Sequence, residues 1–299
     1  MRGFSLRLAL LAALLGWFSV NVAAGQDMPL HDVLIEGEPW RVIAEGYKFT
    51  EGPAVDSEGN LFFVDVPTSQ IFKYDFAQRK TTRFAAIEGN VSGLMFGPDG
   101  RLYGSLYSGR RIVAWDADGA AQTIAAEIGG NDLVVAGDGG IYCTDPQKLQ
   151  VWYVSPSGEK KIVAQDFAAP NGIILWPDQS TLVVADSRDH HLTAFKVEKN
   201  GDLSARLPMY ALRLPYGATD CHADGMTVDT AGRLYAATSE GVQMFDPECR
   251  ISGVIAKPQN RLLANVAFAG PDLKTMVVAC GDKIYARRTQ ATGVRYQPR

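Results

Sequence analysis

Short apolar runs recur along this chain, each led in by a polar turn. Residues 49–65 show the unit. Residues 52–56 are mostly apolar, 57–60 read Ser-Glu-Gly-Asn, and 61–65 read Leu-Phe-Phe-Val-Asp. That is the pattern of a strand, a tight turn and a second strand. Leu61 has counterparts at Leu102, Ile141, Leu182, Leu234 and Met276, with steps of 41, 39, 41, 52 and 42 residues. A turn rich in Asp or Gly precedes each. A third apolar run follows at 71–75, 112–116, 151–154, 192–197, 242–246 and 283–287.

Six units of about 40 residues, each with room for four short antiparallel strands, predict an all-β six-bladed β-propeller around a central channel. A sandwich would space its strands less regularly. A parallel sheet would need helices between strands, and no long segment of 3.6-residue period follows residue 30. The first four blades should end near Ala85, Ala125, Ala164 and Leu214. The run 40–45 should close the ring by joining the last blade, and 25–32 reads as a frayed lead. The extra length at 199–219 predicts a turn at Asn200-Gly201-Asp202 and a loop at 214–217 beside the channel mouth.

Innermost strands line a propeller's channel, so residues at one blade position converge on its axis. About ten residues before each anchor stand Glu51, Ser92, Asn131, Asn171, Asp224 and Asn265. One end of the channel should therefore carry a ring of carboxylate, amide and hydroxyl oxygens. Glu51, Asn131, Asn171 and Asp224 are the donors that a hard cation such as Ca²⁺ prefers, with Mn²⁺ and Mg²⁺ as alternatives. The ring lacks soft ligands, which places Zn²⁺ lower. The plainer alternative is a polar lining for a water-filled channel; four such donors at equivalent positions weigh against it.

The N-terminus changes the picture. Residues 1–7 carry Arg2 and Arg7, 8–20 are apolar, and Val22-Ala23-Ala24 offers small residues for cleavage. This is the pattern of a secretory leader over 1–24, leaving one domain over 25–299 and a periplasmic or secreted product. The apolar run is short for a membrane span, so no membrane attachment is expected after cleavage. The net charge of −4 becomes two units more negative without Arg2 and Arg7. No basic run appears, which argues against a nucleic-acid partner. Cys143, Cys221, Cys249 and Cys280 match neither a zinc site nor a Cys-x-x-Cys pair, and free, mostly buried thiols are expected.

Several motifs carry a resemblance. They are Phe49-Thr-Glu51-Gly-Pro, Asn131-Asp-Leu-Val-Val, Ile141-Tyr-Cys-Thr-Asp-Pro and Pro170-Asn171-Gly-Ile, with Val184-Ala-Asp186-Ser, Ala223-Asp224-Gly-Met and Phe268-Ala-Gly-Pro-Asp-Leu-Lys-Thr. In order and spacing, over roughly residues 40–285, the chain resembles the gluconolactonase, regucalcin and luciferin-regenerating-enzyme family. The resemblance implies a six-bladed propeller with a Ca²⁺ or similar ion in its channel and a lactone-hydrolysing activity. It implies Glu51, Asn171 and Asp224 as metal ligands, and Asn131 as a contact to metal or substrate. The chain departs from the family at Ser92, often Asn in relatives, at Ala223, often Pro, and at Gln147-Lys148, often Tyr-Gly. A basic residue beside Asn131 in some members is absent here, where Gly129-Gly130 stand. These departures bear on a sugar lactone as substrate rather than on the metal.

The expected reaction is hydrolysis of a small-molecule lactone or ester. The ion would polarise the carbonyl while a carboxylate assists the attacking water. The resemblance points to Asp224 as that base, and His222, two residues away, is the alternative proton carrier. Asn131, Ser92, Asn265, Asp186 and Arg188 are the candidate substrate contacts. His190 and His191 fall near the entrance, where solvated loop residues are the plainer reading. Asp65, Asp145 and Asp186 end second strands and should bond loop amides. Two further functions fit the same ring: a non-catalytic propeller with a structural metal, and a phosphotriesterase. No Gly-x-Ser-x-Gly, His-Glu-x-x-His or P-loop supports another chemistry.

Overall fold

In the computed structural model, residues 30–295 are described, and they form six four-stranded antiparallel sheets in a ring: a six-bladed β-propeller. The expected leader at 1–24 lies outside the described residues. Blade one comprises Thr50–Val55, Leu61–Asp65, Gln70–Asp75 and Lys80–Ala86, from channel to rim. The other innermost strands are Val91–Phe96, Leu133–Val135, Pro170–Leu175, Met226–Val228 and Leu263–Ala269. The ring closes as expected. Arg41–Glu45 adds as the outer strand of blade six, pairing Arg41 with Ala286 and Glu45 with Lys283.

The repeat has a local cause at each inner hairpin. Asp56, Asp99, Asp138, Asp178, Asp229 and Asp272 each accept the amide two residues on, at 2.9–3.1 Å. This Asx turn is why an Asp recurs where the chain reverses. The second strands are buried on both faces, so they read as continuous apolar runs instead of alternating ones. Phe62 and Val64 pack toward blade two, while Leu61 and Phe63 pack toward blade six. The same division at every blade makes six apolar clusters, one per seam between neighbours. Burial at these seams is what holds the ring together.

The lead is ordered further than the sequence suggests. Leu30–Asp32 form a 3-10 turn, Val33 is fully buried among blade five and six residues, and Leu34 bridges to Thr289. Apolar side chains at 30, 33 and 34 supply that anchorage. The four cysteines are free, with Cys143, Cys221 and Cys280 buried. The long loop follows the nine-residue outer strand Leu203–Ala211 of blade four and carries the fully exposed Tyr216. Among the described residues no helix is long and apolar enough to cross a membrane.

Candidate functional site

Pairing irregularities aim the ring residues at the axis. The inner strand slips register between Glu51 and Ala54, between Val91 and Leu94, between Pro170 and Ile173, and between Leu263 and Asn265. In blades three and five regular pairing begins only after Asn131-Asp132 and Asp224-Gly225. Such bulges re-aim a side chain that a regular strand would send into a seam. Glycine follows four of the six ring residues because the next blade's chain passes close by. A Cβ on Gly172 would lie 2.1 Å from the Asp224 carbonyl oxygen, and one on Gly225 would lie 1.8 Å from Cγ of Asn265.

The six ring residues do converge. The Ser92 hydroxyl donates to Oδ1 of Asn131, and the Asn131 amide donates to Oδ1 of Asn171. The Asn171 amide reaches the Ser187 hydroxyl at 3.0 Å, and Asn171 also bonds the Asp224 carboxyl. Across the ring, the Asn265 amide donates to Oε2 of Glu51 at 3.1 Å, and the Gly52 N–H donates to the same oxygen at 2.6 Å. Hydroxyls from second strands hold the ring backbone of the next blade. Ser105 bonds the Asn131 carbonyl, Thr144 the Asn171 carbonyl at 2.6 Å, and Ser187 the Ala223 carbonyl at 2.8 Å.

The structure adds a carboxylate that the blade comparison passes over. Asp132 is buried, and its charge acts on both Glu51 and Asp224. It occupies the place after the ring residue where four other blades have glycine, and an acid in that place was the available signal. Burial is the main cause that pushes Glu51 up to about 8, with the Asp132 charge second. Burial likewise pushes Asp132 up to about 7, opposed by a hydrogen bond from Asn265. Asp224 rises well above the carboxylate range through burial and then the charges of Glu51 and Asp132. Among the described residues no cationic side chain offsets any of the three.

This donor set fits a hard divalent cation. Buried carboxylates repel one another and ask for positive charge, and the amides of Asn131 and Asn171 add oxygens without adding charge. Among the described residues no group of three or more His, Cys, Asp and Glu side chains is placed to hold a metal by itself. The ring mixes carboxylates with amides instead.

Other expected site residues are tied to loop amides or exposed. Asp186 is buried, and its carboxylate accepts the amides of Ala168, Ala169 and Arg188 at 2.6, 2.8 and 3.1 Å. Asp65 does the same for Lys48 and Phe49, and Asp145 for Lys148. Arg188 is exposed on its loop. His222 is also exposed, with left-handed backbone (φ 50°), and its amide is tied to the Ser187 carbonyl. The His190 ring meets the Thr219 carbonyl at 3.1 Å. A basic group does approach Gly129, two residues before Asn131, from the neighbouring blade. Nη1 of Arg110 lies 2.8 Å from where a Cβ on Gly129 would stand, and it donates to Gln147 at 3.0 Å.

Fold and site together define a six-bladed propeller with a cluster of buried acids among its inner strands. The chain belongs to the SMP-30/gluconolactonase/LRE-like family, whose model matches residues 49–281. A gluconolactonase of Zymomonas mobilis is 23% identical over 303 residues, covering 88% of this chain and 85% of its own. The lactonase drp35 of Staphylococcus saprophyticus is 30% identical over 221 residues, covering 68% and 67%. Two solved structures share the fold. A gluconolactonase from Xanthomonas campestris has a TM-score of 0.75 at 23% identity, covering 87% of this chain and 92% of that one. Regucalcin from Agrobacterium tumefaciens, a calcium-binding protein, has a TM-score of 0.73 at 19% identity, covering 87% and 97%.

Proposed function

We propose that this protein is an exported, divalent-metal-dependent lactonase. The observation that carries the reading is the set of three buried carboxylates without a cationic partner, Glu51, Asp132 and Asp224. They stand in a family whose relatives include a gluconolactonase and a lactonase. Glu51, Asn171 and Asp224 would hold the ion, with Asn131 beside them, and Ca²⁺ suits these oxygens best. Bound there, the ion supplies positive charge where an ester carbonyl oxygen becomes negative. The leader pattern at 1–24 supports export to the periplasm or beyond.

The chain's own residues supply the rest. Water adds to the lactone carbonyl carbon, and Asp224 takes the proton that the water gives up. The ring C–O bond then breaks, and the same proton passes to the departing alkoxide, leaving a hydroxy acid. Asn171 and the Gly225 N–H keep the Asp224 carboxyl oriented. Ser92 and Asn131, linked by a hydrogen bond, present a hydroxyl and an amide on the blade two and three side of the ring. His222, exposed and two residues from Asp224 in the chain, is the alternative group to carry that proton.

The test is a pH-stat assay on sugar, aliphatic and aromatic lactones, before and after EDTA and after Ca²⁺ is restored. Turnover that EDTA removes, Ca²⁺ restores and Asp224→Asn lacks is the expected result. Turnover indifferent to both EDTA and Asp224→Asn would remove the ring from the reaction.

A further inference from the structure

The acids have a second side. A cavity of about 690 Å³ in the channel is walled by the inner strands of all six blades. That volume lies in the range of about 300–1,000 Å³ usual for small-molecule sites. Its walls mix polar groups with apolar side chains, among them Val55, Met95, Phe96, Ile174, Val266 and Phe268. Asp132 and Asn265 are the residues of the acid site that face into it. Asp56, Ser57 and Arg295 line the end formed by the hairpin turns.

Three charged side chains therefore line this cavity: Asp56, Asp132 and Arg295. Two are engaged elsewhere. Asp56 pairs with Lys73 at 3.2 Å and accepts amides of its own turn. Arg295 donates to the carbonyls of Ser57, Asp56 and Pro271 at 2.8, 3.3 and 3.2 Å. Among the described residues, Asp132 receives the Asn265 amide and no cationic side chain acts on it. Asp132 is the carboxylate of the acid site that lines the cavity.

We propose that the cavity is a second binding site, distinct from the reaction site, for a small apolar monocation such as a protonated amine. Its ammonium would meet Asp132, and its hydrocarbon body would lie between Met95, Phe96 and Phe268. A buried carboxylate without a partner is costly, and an ammonium bonded to it removes that cost. Aromatic faces and a thioether suit the carbon atoms next to a cation. Asn265 bonds both Asp132 and Glu51, so amine and metal affinities should be linked reciprocally.

The experiment is calorimetric titration of the full chain with hexylamine and with hexan-1-ol, near neutral pH and with Ca²⁺ present. Hexylamine is expected to bind one per chain, about tenfold or more tighter than hexan-1-ol. Asp132→Asn should erase that preference. Thr227→Phe, which narrows the cavity from the wall of blade five, should abolish hexylamine binding while thermal unfolding stays cooperative. Equal binding of the two compounds, no binding of either, or hexylamine binding that survives Thr227→Phe would overturn the proposal. Ca²⁺ binding and lactone turnover are read on the same samples. Their loss with hexylamine binding retained would strike the proposed lactonase and leave the amine site standing.

Discussion

The side-chain amide of Asn265 donates to Oε2 of Glu51 at 3.1 Å and also bonds Asp132. One amide from blade six thus braces carboxylates from blades one and three. It lies against Gly225 so closely that a Cβ there would overlap its Cγ. Asn265 is therefore a positioning residue for the acids.

Asn265→Ala should weaken Ca²⁺ binding by about 10–100-fold, the usual cost of losing a group that orients a metal ligand. Calorimetry with Ca²⁺ checks this. Asn265→Asp, which adds a fourth carboxylate, should not restore a single-site isotherm of the original affinity.

The acids also set a pH dependence for the metal-free protein. Burial raises Glu51 to about 8 and Asp132 to about 7 in the folded state, above their ordinary values. Well below their ordinary values of 3.8 and 4.5 both groups carry protons whether folded or unfolded, so they do not change stability there. As pH rises from 3.8 to about 8 the unfolded chain releases those protons first. Stability should therefore fall across that window and level off above it. Thermal melts in EDTA are predicted to decline from pH 5 to pH 8. Added Ca²⁺ should raise the melting temperature more at pH 8 than at pH 5. A melting temperature that climbs with pH in EDTA would contradict this account.

Asp186 braces two loops with its carboxylate, serving Ala168 and Ala169 just before Asn171 and Arg188 just after its own strand. Asp186→Ala leaves these amides without their acceptor and should cost about 2–3 kcal/mol of stability. Its KM on any lactone turned over should stay within about twofold. Chemical denaturation and steady-state kinetics separate the two effects. A large rise in KM with stability intact would make Asp186 a substrate contact.

Arg110 of blade two reaches over Gly129, two residues before Asn131, and bonds Gln147 and the Glu127 carbonyl. Arg110→Ala should raise KM about tenfold for hydroxylated lactones and leave kcat nearly unchanged, the signature of lost substrate binding. An equal fall of kcat on hydroxylated and plain lactones would mean that Arg110 acts only on loop structure.

Much of this was readable in the chain because the repeat has simple local causes. Asp56 and its five counterparts mark the hairpins, and second strands such as 61–65 are apolar throughout because both faces meet neighbouring blades. Symmetry then brought Glu51, Asn131, Asn171 and Asp224 to one axis. Asp132 escaped notice because it is one residue off the blade-equivalent position, where glycine is the rule. Arg110 was missed because its neighbour Gly129 is close in space but belongs to another blade. The cavity was invisible because wall residues such as Val55 and Ile174 look like any other strand core. Val33 lay in a stretch too short to show periodicity, yet its apolar side chain docks the lead.

The most direct measurement is equilibrium dialysis of Ca²⁺ against the protein without residues 1–24, beside Glu51→Gln, Asn171→Ala and Asp224→Asn. The account predicts one tightly held ion per chain, lost or much weakened in all three variants while each stays folded by circular dichroism. Unchanged Ca²⁺ uptake in the three variants, or no uptake by the parent protein, would contradict it.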